Sequence, residues 1–509
     1  MLNSKESLGE KFLKKGAWLY LFSFILGPIG YFVKIILSYD LKVEEIGILY
    51  GIIGLVTLLT TYHDLGLTEA LNFFLPKYIV EKNYDKFKSA LVYAMFAQVP
   101  TSLLIGGALF FGSDFLATHY FHSKELATET AYVLKVFSLF FIGMNLYQIV
   151  NTVFGATQNT KYQKGTEIIR MLAILGFTMF YWLGDKGSLN NYSWTWIYGL
   201  GFGIIFSYIL FFFKYYLPYL KDARIYYDKK MLKEIFAYAV WVLLAANVGT
   251  ILGQLDMQLI IYLLGPMEAG YYTNYLSIIG IPFLVITPIF GFLFPVISEL
   301  SSKNETDKIT TIKTMFYKYF SIIAIIVSVF AFVFAKEIAI ILYSEKFRMS
   351  GIIMQYSIFF LIFNFLLQIN FQILAGIGKV KERLKILVIG LVINLILNLI
   401  LIHYMGVVGS ALATGITWIP IFYLSHLKTK KFSSNFDYKF FIKNIIFAAI
   451  LGIGMQYLIV IQLVGKTRTQ MLFWILLIGF LYIITFGLFN MKEGKMFITE
   501  LLKLKKSKI

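Results

Sequence analysis

The chain has 509 residues, is 59% hydrophobic and only 15% charged, and has a mean hydropathy of +0.74. That excludes an ordinary soluble domain, in which roughly 25% of residues are charged. A net charge of +18 would suit a nucleic-acid partner, but the basic residues are spread over connecting loops in a way that argues against one. Cysteine is absent, so disulfides, thiolate metal sites and cysteine nucleophiles are excluded.

Apolar runs of about 18 to 25 residues recur from residue 16 to residue 490, each long enough to cross a hydrocarbon core of roughly 30 Å as a helix. Period-2 alternation is absent, which argues against a β-barrel. The lysines before the first run resemble the start of a signal peptide. That run, 16–37, is a full span without a small-residue cleavage pattern, so it reads as the first transmembrane helix, and it carries Gly27, Pro28, Gly30 and Lys34. Span 2 (46–63) is followed by DLGLTEALNFFLPKYIVEKNYDKFK (64–88), which mixes aromatic and apolar residues with lysines as a helix on the inner membrane surface does. Span 3 (89–111) leads to the longest outer segment, 112–130, with His119 and His122. Span 4 (131–152) has Lys135 near one end and a polar face of Ser138, Asn145, Gln148 and Thr152.

Spans 5 (166–183) and 6 (194–214) precede a basic linker to span 7 (236–262). On a helical wheel, Gly249, Gly253 and Asp256 share one face of span 7, while Asn247, Thr250, Gln254 and Gln258 cluster toward the other side. Span 8 (269–290) contains Pro282 and Pro288, which can kink it; span 9 is 317–335. Span 10 (350–372) carries Asn364, Gln368 and Gln372 one turn apart, and span 11 (386–403) carries Asn394 and Asn398. Spans 12 (407–426), 13 (440–464) and 14 (470–490) complete the set, before a basic tail.

The connecting segments alternate in basic content. One alternate set, which includes both termini, holds 36 of the 46 Lys and Arg residues, and the other holds 8. The positive-inside rule then places both termini in the cytoplasm. The basic tail reads as a lipid-facing cytoplasmic end.

The sequence also repeats itself. VEEIGILYGIIG (43–54) matches PMEAGYYTNYLSIIG (266–280), PKYIVEKN (76–83) matches PVISELSSKN (295–304), and GATQNTKYQK (155–164) matches GIGKVKERLK (376–385). Six spans separate the copies, an even number, so the repeat is parallel. The expected fold is therefore an all-α integral membrane protein with about 14 transmembrane helices. Two pseudo-symmetric six-helix lobes, 1–225 (spans 1–6) and 226–430 (spans 7–12), are followed by a helix pair and basic tail, 431–509. Such lobes, with a site between them near the midplane, are how many secondary transporters are built.

With its short acidic turn ending in Gly47, the DLG of 64–66 and D256…LIIYLLGPMEAGYY, the chain resembles the polysaccharide-synthesis branch of the multidrug/oligosaccharidyl-lipid/polysaccharide (MOP) exporter superfamily, which includes Wzx-type oligosaccharide flippases. The resemblance implies a protein of the bacterial cytoplasmic membrane. It implies translocation of an undecaprenyl-diphosphate-linked oligosaccharide, such as a polysaccharide or O-antigen repeat unit, by alternating access. The same resemblance suggests other glycan-assembly membrane proteins as partners beside membrane lipids, and a monomer is expected. Members of this group often carry several cavity arginines. Here the one arginine inside the span bounds is Arg170, at the cytoplasmic end of span 5, and no arginine lies in a span's interior.

The intramembrane charges then acquire two readings. Gly27, Gly30 and Lys34 of span 1 are the repeat counterparts of Gly249, Gly253 and Asp256. Lys34 would attract a phosphate or acidic sugar. Asp256 would bind a coupling H⁺ or Na⁺, or latch to Lys34 when the outer gate is shut. The plain alternative is a static ion pair, with Lys34 snorkelling. Lys135 is either a snorkelling end residue or a substrate contact. The amides Asn145, Gln148, Asn364 and Gln368 either meet sugar hydroxyls or join helices.

No catalytic constellation, cofactor motif or metal-ligand set is evident, and without a Walker A motif ATP is not the direct energy source. The short outer loops argue against a glycan polymerase. A drug or cation antiporter of the same superfamily and a lipid II flippase stay open as alternatives.

Overall fold

A computed structural model describes residues 8–123, 125–246, 248–432, 438–462, 467–491 and 493, and no strand occurs among them. The helices in chain order are α1 (Leu8–Asp40), α2 (Val43–His63), α3 (Leu67–Val80), α4 (Tyr84–Phe111), α5 (Ser113–His119), α6 (Ala127–Ala156), α7 (Thr160–Leu183), α8 (Leu189–Phe211) and α9 (Lys229–Ala246). They continue with α10 (Val248–Leu263), α11 (Pro266–Ser302), α12 (Thr306–Val333), α13 (Ala335–Tyr343), α14 (Arg348–Ser357), α15 (Leu361–Gly376), α16 (Val380–Lys428), α17 (Tyr438–Gln462) and α18 (Arg468–Phe489). The basic tail and Asn247 lie outside the described residues.

Eleven segments among the described residues are long and apolar enough to cross a membrane. One of them, α16, is a hairpin. Gly406 (φ 56°, ψ −140°) turns the chain, and a Cβ on Gly409 would fall 2.0 Å from Leu401 O. The two arms are joined by Ser410 Oγ to Asn398 Oδ1 (2.6 Å) and Asn394 Nδ2 to Thr414 Oγ1 (3.0 Å). Expected spans 11 and 12 are thus the two arms of this hairpin, and their asparagines are interhelical bridges. Expected span 1 lies in α1, and the described residues of span 7 lie in α9 and α10, on either side of Asn247. Large side chains such as Phe111 (86% exposed) and Ile453 (73%) face outward, as a hydrocarbon solvent requires.

The repeat is visible in the turns. After α3 the chain reverses through Lys82 at positive φ, with Asn83 N donating to Tyr78 O (2.9 Å). After α11 it does the same through Asn304, with Glu305 N donating to Leu300 O (2.9 Å). The second matched pair of segments behaves alike. Gln158 and Gly378 take positive φ, and Asn159 N–Phe154 O (2.8 Å) corresponds to Lys379 N–Leu374 O (2.7 Å). These are Schellman-type helix ends, in which a left-handed residue lets the next amide satisfy a carbonyl five residues back.

The copies differ in one respect. α11 runs unbroken from Pro266 to Ser302, whereas its counterpart is interrupted at Asp64–Leu65–Gly66. There Asp64 Oδ1 accepts from Gly66 N (2.9 Å) and Oδ2 from Thr68 N (3.2 Å), capping α3. Gly66 has φ 77°, and a Cβ on it would meet Ala239 O of α9 at 2.2 Å, so no other residue fits. The segment read as a surface helix is thus the continuation of α2. Leu67, Leu71 and Leu75 of α3 are buried in a core with residues of α4, α6 and α9, and Phe73 stacks on Tyr238 at 4.6 Å.

The chain forms two compact units, Met1–Thr273 and Asn274–Ile509, whose boundary falls inside α11. In the second unit α17 and α18 share a core with α12.

Candidate functional site

Within the first unit, Lys34 and Asp256 are both buried and both bind one turn of α11. Lys34 Nζ donates to Thr273 O (2.6 Å) and Oγ1 (2.8 Å), and lies 4.2 Å from the centroid of the Tyr50 ring. Asp256 Oδ2 accepts from the Tyr272 hydroxyl at 2.7 Å. Four helices, α1, α2, α10 and α11, therefore meet at Tyr272 and Thr273. An ion at the bilayer centre costs at least ~2.5–3.5 kcal/mol, which charged hydrogen bonds and a cation–π contact partly offset.

Next to this cluster α2 and the start of α11 are pressed together. A Cβ on Gly47 would lie 1.7 Å from Pro266 O, and one on Gly270 would lie 2.1 Å from Val43 O. The contact is reciprocal: each helix offers a carbonyl to the glycine four residues on in the other. Gly47 and Gly270 are repeat counterparts, so a local two-fold axis passes through the contact. Farther along α2, Gly51 admits Ile261 (2.2 Å) and Gly54 admits the amides of Gln254 and Gln258 (2.9 Å each). Gln258 also accepts from the Tyr120 hydroxyl (2.8 Å) and donates to Gly51 O (3.4 Å). Burial pushes the Tyr120 hydroxyl up to about 12, so it remains a donor. The spacing Gly47, Gly51, Gly54 was a small-residue signal for close helix approach.

The glycines of α10 behave in the opposite way. Among the described residues a Cβ on Gly249 or Gly253 would have no neighbour within 4 Å, so this face opens on space up to buried Asp256.

The remaining expected residues are placed apart. Lys135 Nζ lies 3.3 Å from Asp114 Oδ2, with the two side chains 37% and 74% exposed, a surface pair of small energetic value. Asn145 is buried, with Nδ2 donating to Gln98 O (3.0 Å) and Ser102 Oγ (3.2 Å), so it joins α6 to α4. Gln148 is half-buried. In the second unit Asn364, Gln368 and Gln372 are also half-buried, and Gln368 Nε2 donates to Asn364 Oδ1 at 3.4 Å.

A polar cluster in the second unit is not evident from the sequence. Lys313, counted there as a loop residue, is 1% exposed. Its Nζ donates to Thr429 O (3.0 Å) and Oγ1 (2.9 Å); Thr429 Oγ1 and the Tyr317 hydroxyl donate to Asn370 Oδ1 (3.1 and 2.6 Å); Asn370 Nδ2 donates to Ser425 Oγ (2.9 Å). The signal was the i, i+4 spacing of Lys313 and Tyr317, whose partners come from sequence-distant helices. Among the described residues no group of three or more His, Cys, Asp or Glu is placed to hold a metal ion.

Comparison with known proteins places this geometry in context. The profile of the polysaccharide biosynthesis protein family matches residues 12–301, and that of lipid II flippase MurJ matches 171–478. Membrane protein MJ1068 of Methanocaldococcus jannaschii is 24% identical over 446 residues, 84% of this chain and 86% of that one. MJ1375 of the same organism is 26% identical over 418 residues, 77% and 92% of the two chains. A solved lipid II flippase MurJ in an inward closed conformation superposes with a TM-score of 0.70 at 16% identity, over 93% of this chain and 99% of that one. An inward-facing MATE family multidrug transporter of the MOP superfamily gives 0.64 at 13% identity, over 85% and 96%. At these identities the two structures share the fold.

Proposed function

Because the chain belongs to the polysaccharide biosynthesis protein family within the MOP exporter superfamily, we propose that it is a flippase for a lipid-linked oligosaccharide. The substrate is a polyprenyl-diphosphate carrier bearing a polysaccharide repeat unit, moved across the cytoplasmic membrane by alternating access, with both termini cytoplasmic. The observation that carries this reading is the burial of two opposite charges on consecutive residues of α11, beside a shut glycine seam and an open glycine face.

In this conformation Lys34 and Asp256 are covered. Movement of α11 away from α1 and α10 would free both at once, because Lys34 bonds to Thr273 and Asp256 to Tyr272 on consecutive residues of α11. Lys34 then meets a diphosphate, and Asp256 takes a coupling H⁺ or Na⁺. The half-buried amides Asn364, Gln368 and Gln372 supply neutral hydrogen bonds to sugar hydroxyls. A second reading, a lipid II-type substrate, draws support from the MurJ profile match and has the same diphosphate chemistry.

Mass spectrometry of polyprenyl-linked glycans separates these readings. In cells lacking the gene, one finished lipid-linked oligosaccharide should accumulate, and should be cleared by the wild-type gene but not by Asp256→Asn at equal protein level. Accumulation of a peptide-bearing disaccharide carrier would select the lipid II reading. Unpolymerised units already facing outward would indicate a polymerase, and unchanged lipid-linked glycans a small-molecule antiporter.

A further inference from the structure

The last two helices, α17 and α18, follow the repeated part of the sequence, and their basic end carries a separate groove. The membrane span in α17 starts at Lys439, at the end that the alternation of basic loops assigns to the cytoplasm. On a helical wheel Lys439, Ile442, Lys443, Ile446 and Ile450 fall within about 100° of one another and form one stripe. This stripe and Phe489, the last residue of α18, line a groove of about 600 Å³. From Lys439 to Ile450 the helix rises about 16 Å, at roughly 1.5 Å per residue. That is about half of a hydrocarbon core of roughly 30 Å, the depth of one leaflet.

The walls of the groove are hydrocarbon and its mouth is cationic. Ile442, Ile446 and Ile450 are each more than half exposed, as side chains solvated by lipid are. Across from them Phe447 stacks on Phe489 with centroids 3.7 Å apart, and Asn490 Nδ2 donates to Asn444 Oδ1 (2.7 Å), which joins the two helices. Lys443 Nζ lies 4.2 Å from the Phe489 centroid, and Lys439 is exposed one turn nearer the start of the helix. Lysines of other basic segments in this unit have carboxylate partners: Lys303 has Glu299, Lys308 has Glu305, and Lys385 and Lys428 share Glu382. Among the described residues Lys439 and Lys443 have no ion pair. The positive end of the α17 dipole lies beside them. Two unneutralised cations above a hydrocarbon slot one leaflet deep are complementary to a phosphate joined to an acyl chain.

We propose that this groove binds an anionic phospholipid of the inner leaflet, with its phosphate between Lys439 and Lys443 and one acyl chain along Ile442, Ile446 and Ile450. The bound lipid fastens α17 to α18 at the end where Phe447 meets Phe489. The occupant is a bilayer lipid and not the transported carrier. The groove ends at the depth of one leaflet, and it lies on the helix pair that follows the two repeated halves. The site does not depend on the flippase reading.

The test is native mass spectrometry of the full chain in detergent, given equal amounts of phosphatidylglycerol and phosphatidylcholine with the same acyl chains. The wild-type protein should retain phosphatidylglycerol in preference. Lys439→Gln combined with Lys443→Gln should reduce that preference by about tenfold or more, because each lysine beside an anionic lipid contributes a factor of about five. Ile446→Trp fills the slot, leaves both lysines in place and should also weaken phosphatidylglycerol retention. Lys303→Gln, at a lysine already paired, should leave retention unchanged, and thermal unfolding in the same detergent checks that each variant is folded. Equal retention of the two lipids by the wild type, or a preference that survives the double substitution, would overturn the proposal. Displacement of the retained phosphatidylglycerol by an equal amount of a polyprenyl diphosphate would assign the groove to the carrier and overturn it as well.

Discussion

α6 and α15 are the same helix in the two copies of the repeat, and each carries a stripe of amides. In α6 the leading amide joins helices: Asn145 is buried and its Nδ2 donates to the α4 backbone, while its Oδ1 makes no hydrogen bond. In α15 the amides of the stripe are half-exposed, and two of them bond mainly to each other. The buried amide of α15 is Asn370, on another face, where it bridges α12 and α16. A repeat therefore preserves which residue types a helix carries more faithfully than what each one does. The direction of a side chain is set by the helix, but its partner is set by whatever packs opposite.

The contrast can be broken by substitution, and the glycines set the largest effect. Gly47→Ala should lower stability by about 3 kcal/mol or prevent folding, because the new methyl would overlap a backbone oxygen that cannot move alone. Gly249→Ala should be neutral or raise stability by up to ~1 kcal/mol, since it meets open space and removes a helix-interior glycine. Thermal unfolding in detergent compares the two, and equal effects would refute the division into closed and open faces.

Among the amides, Asn370→Ala should cost about 2–3 kcal/mol, because it strips partners from Tyr317, Thr429 and Ser425 together. Asn145→Ala should cost about 1 kcal/mol, as its lost bonds are two and the carbonyl of Gln98 stays within its helix. Gln368→Ala should change stability by less than ~0.5 kcal/mol yet slow clearance of the lipid-linked glycan, if the open stripe meets sugar. A Gln368→Ala protein that is destabilised as much as Asn145→Ala would place the two stripes in one structural role.

Much of the fold was legible. Long apolar runs, the alternation of basic loops and the quoted repeats each follow from short-range rules, and the helices and the paired turns at Lys82, Asn304, Gln158 and Gly378 appear where those segments lie. The DLG turn was legible as a motif but not as an interruption of one long helix, because its cause is Ala239, which approaches Gly66 from the far side of the chain sequence. The site was legible as a pair of unusual charges. Their shared attachment to Tyr272 and Thr273 was not, since neither residue is remarkable by type.

The amino-acid sequence alone determined that this chain is helical, lives in a membrane and is built twice from one pattern. Those properties depend on composition and on spacings of a few residues, which act before any tertiary contact forms. Only the tertiary structure decided which glycines close a seam and which face space, which amides join helices, and that Lys313 is buried. Each of those outcomes depends on an atom from a distant part of the chain, and no local pattern encodes the arrival of that atom.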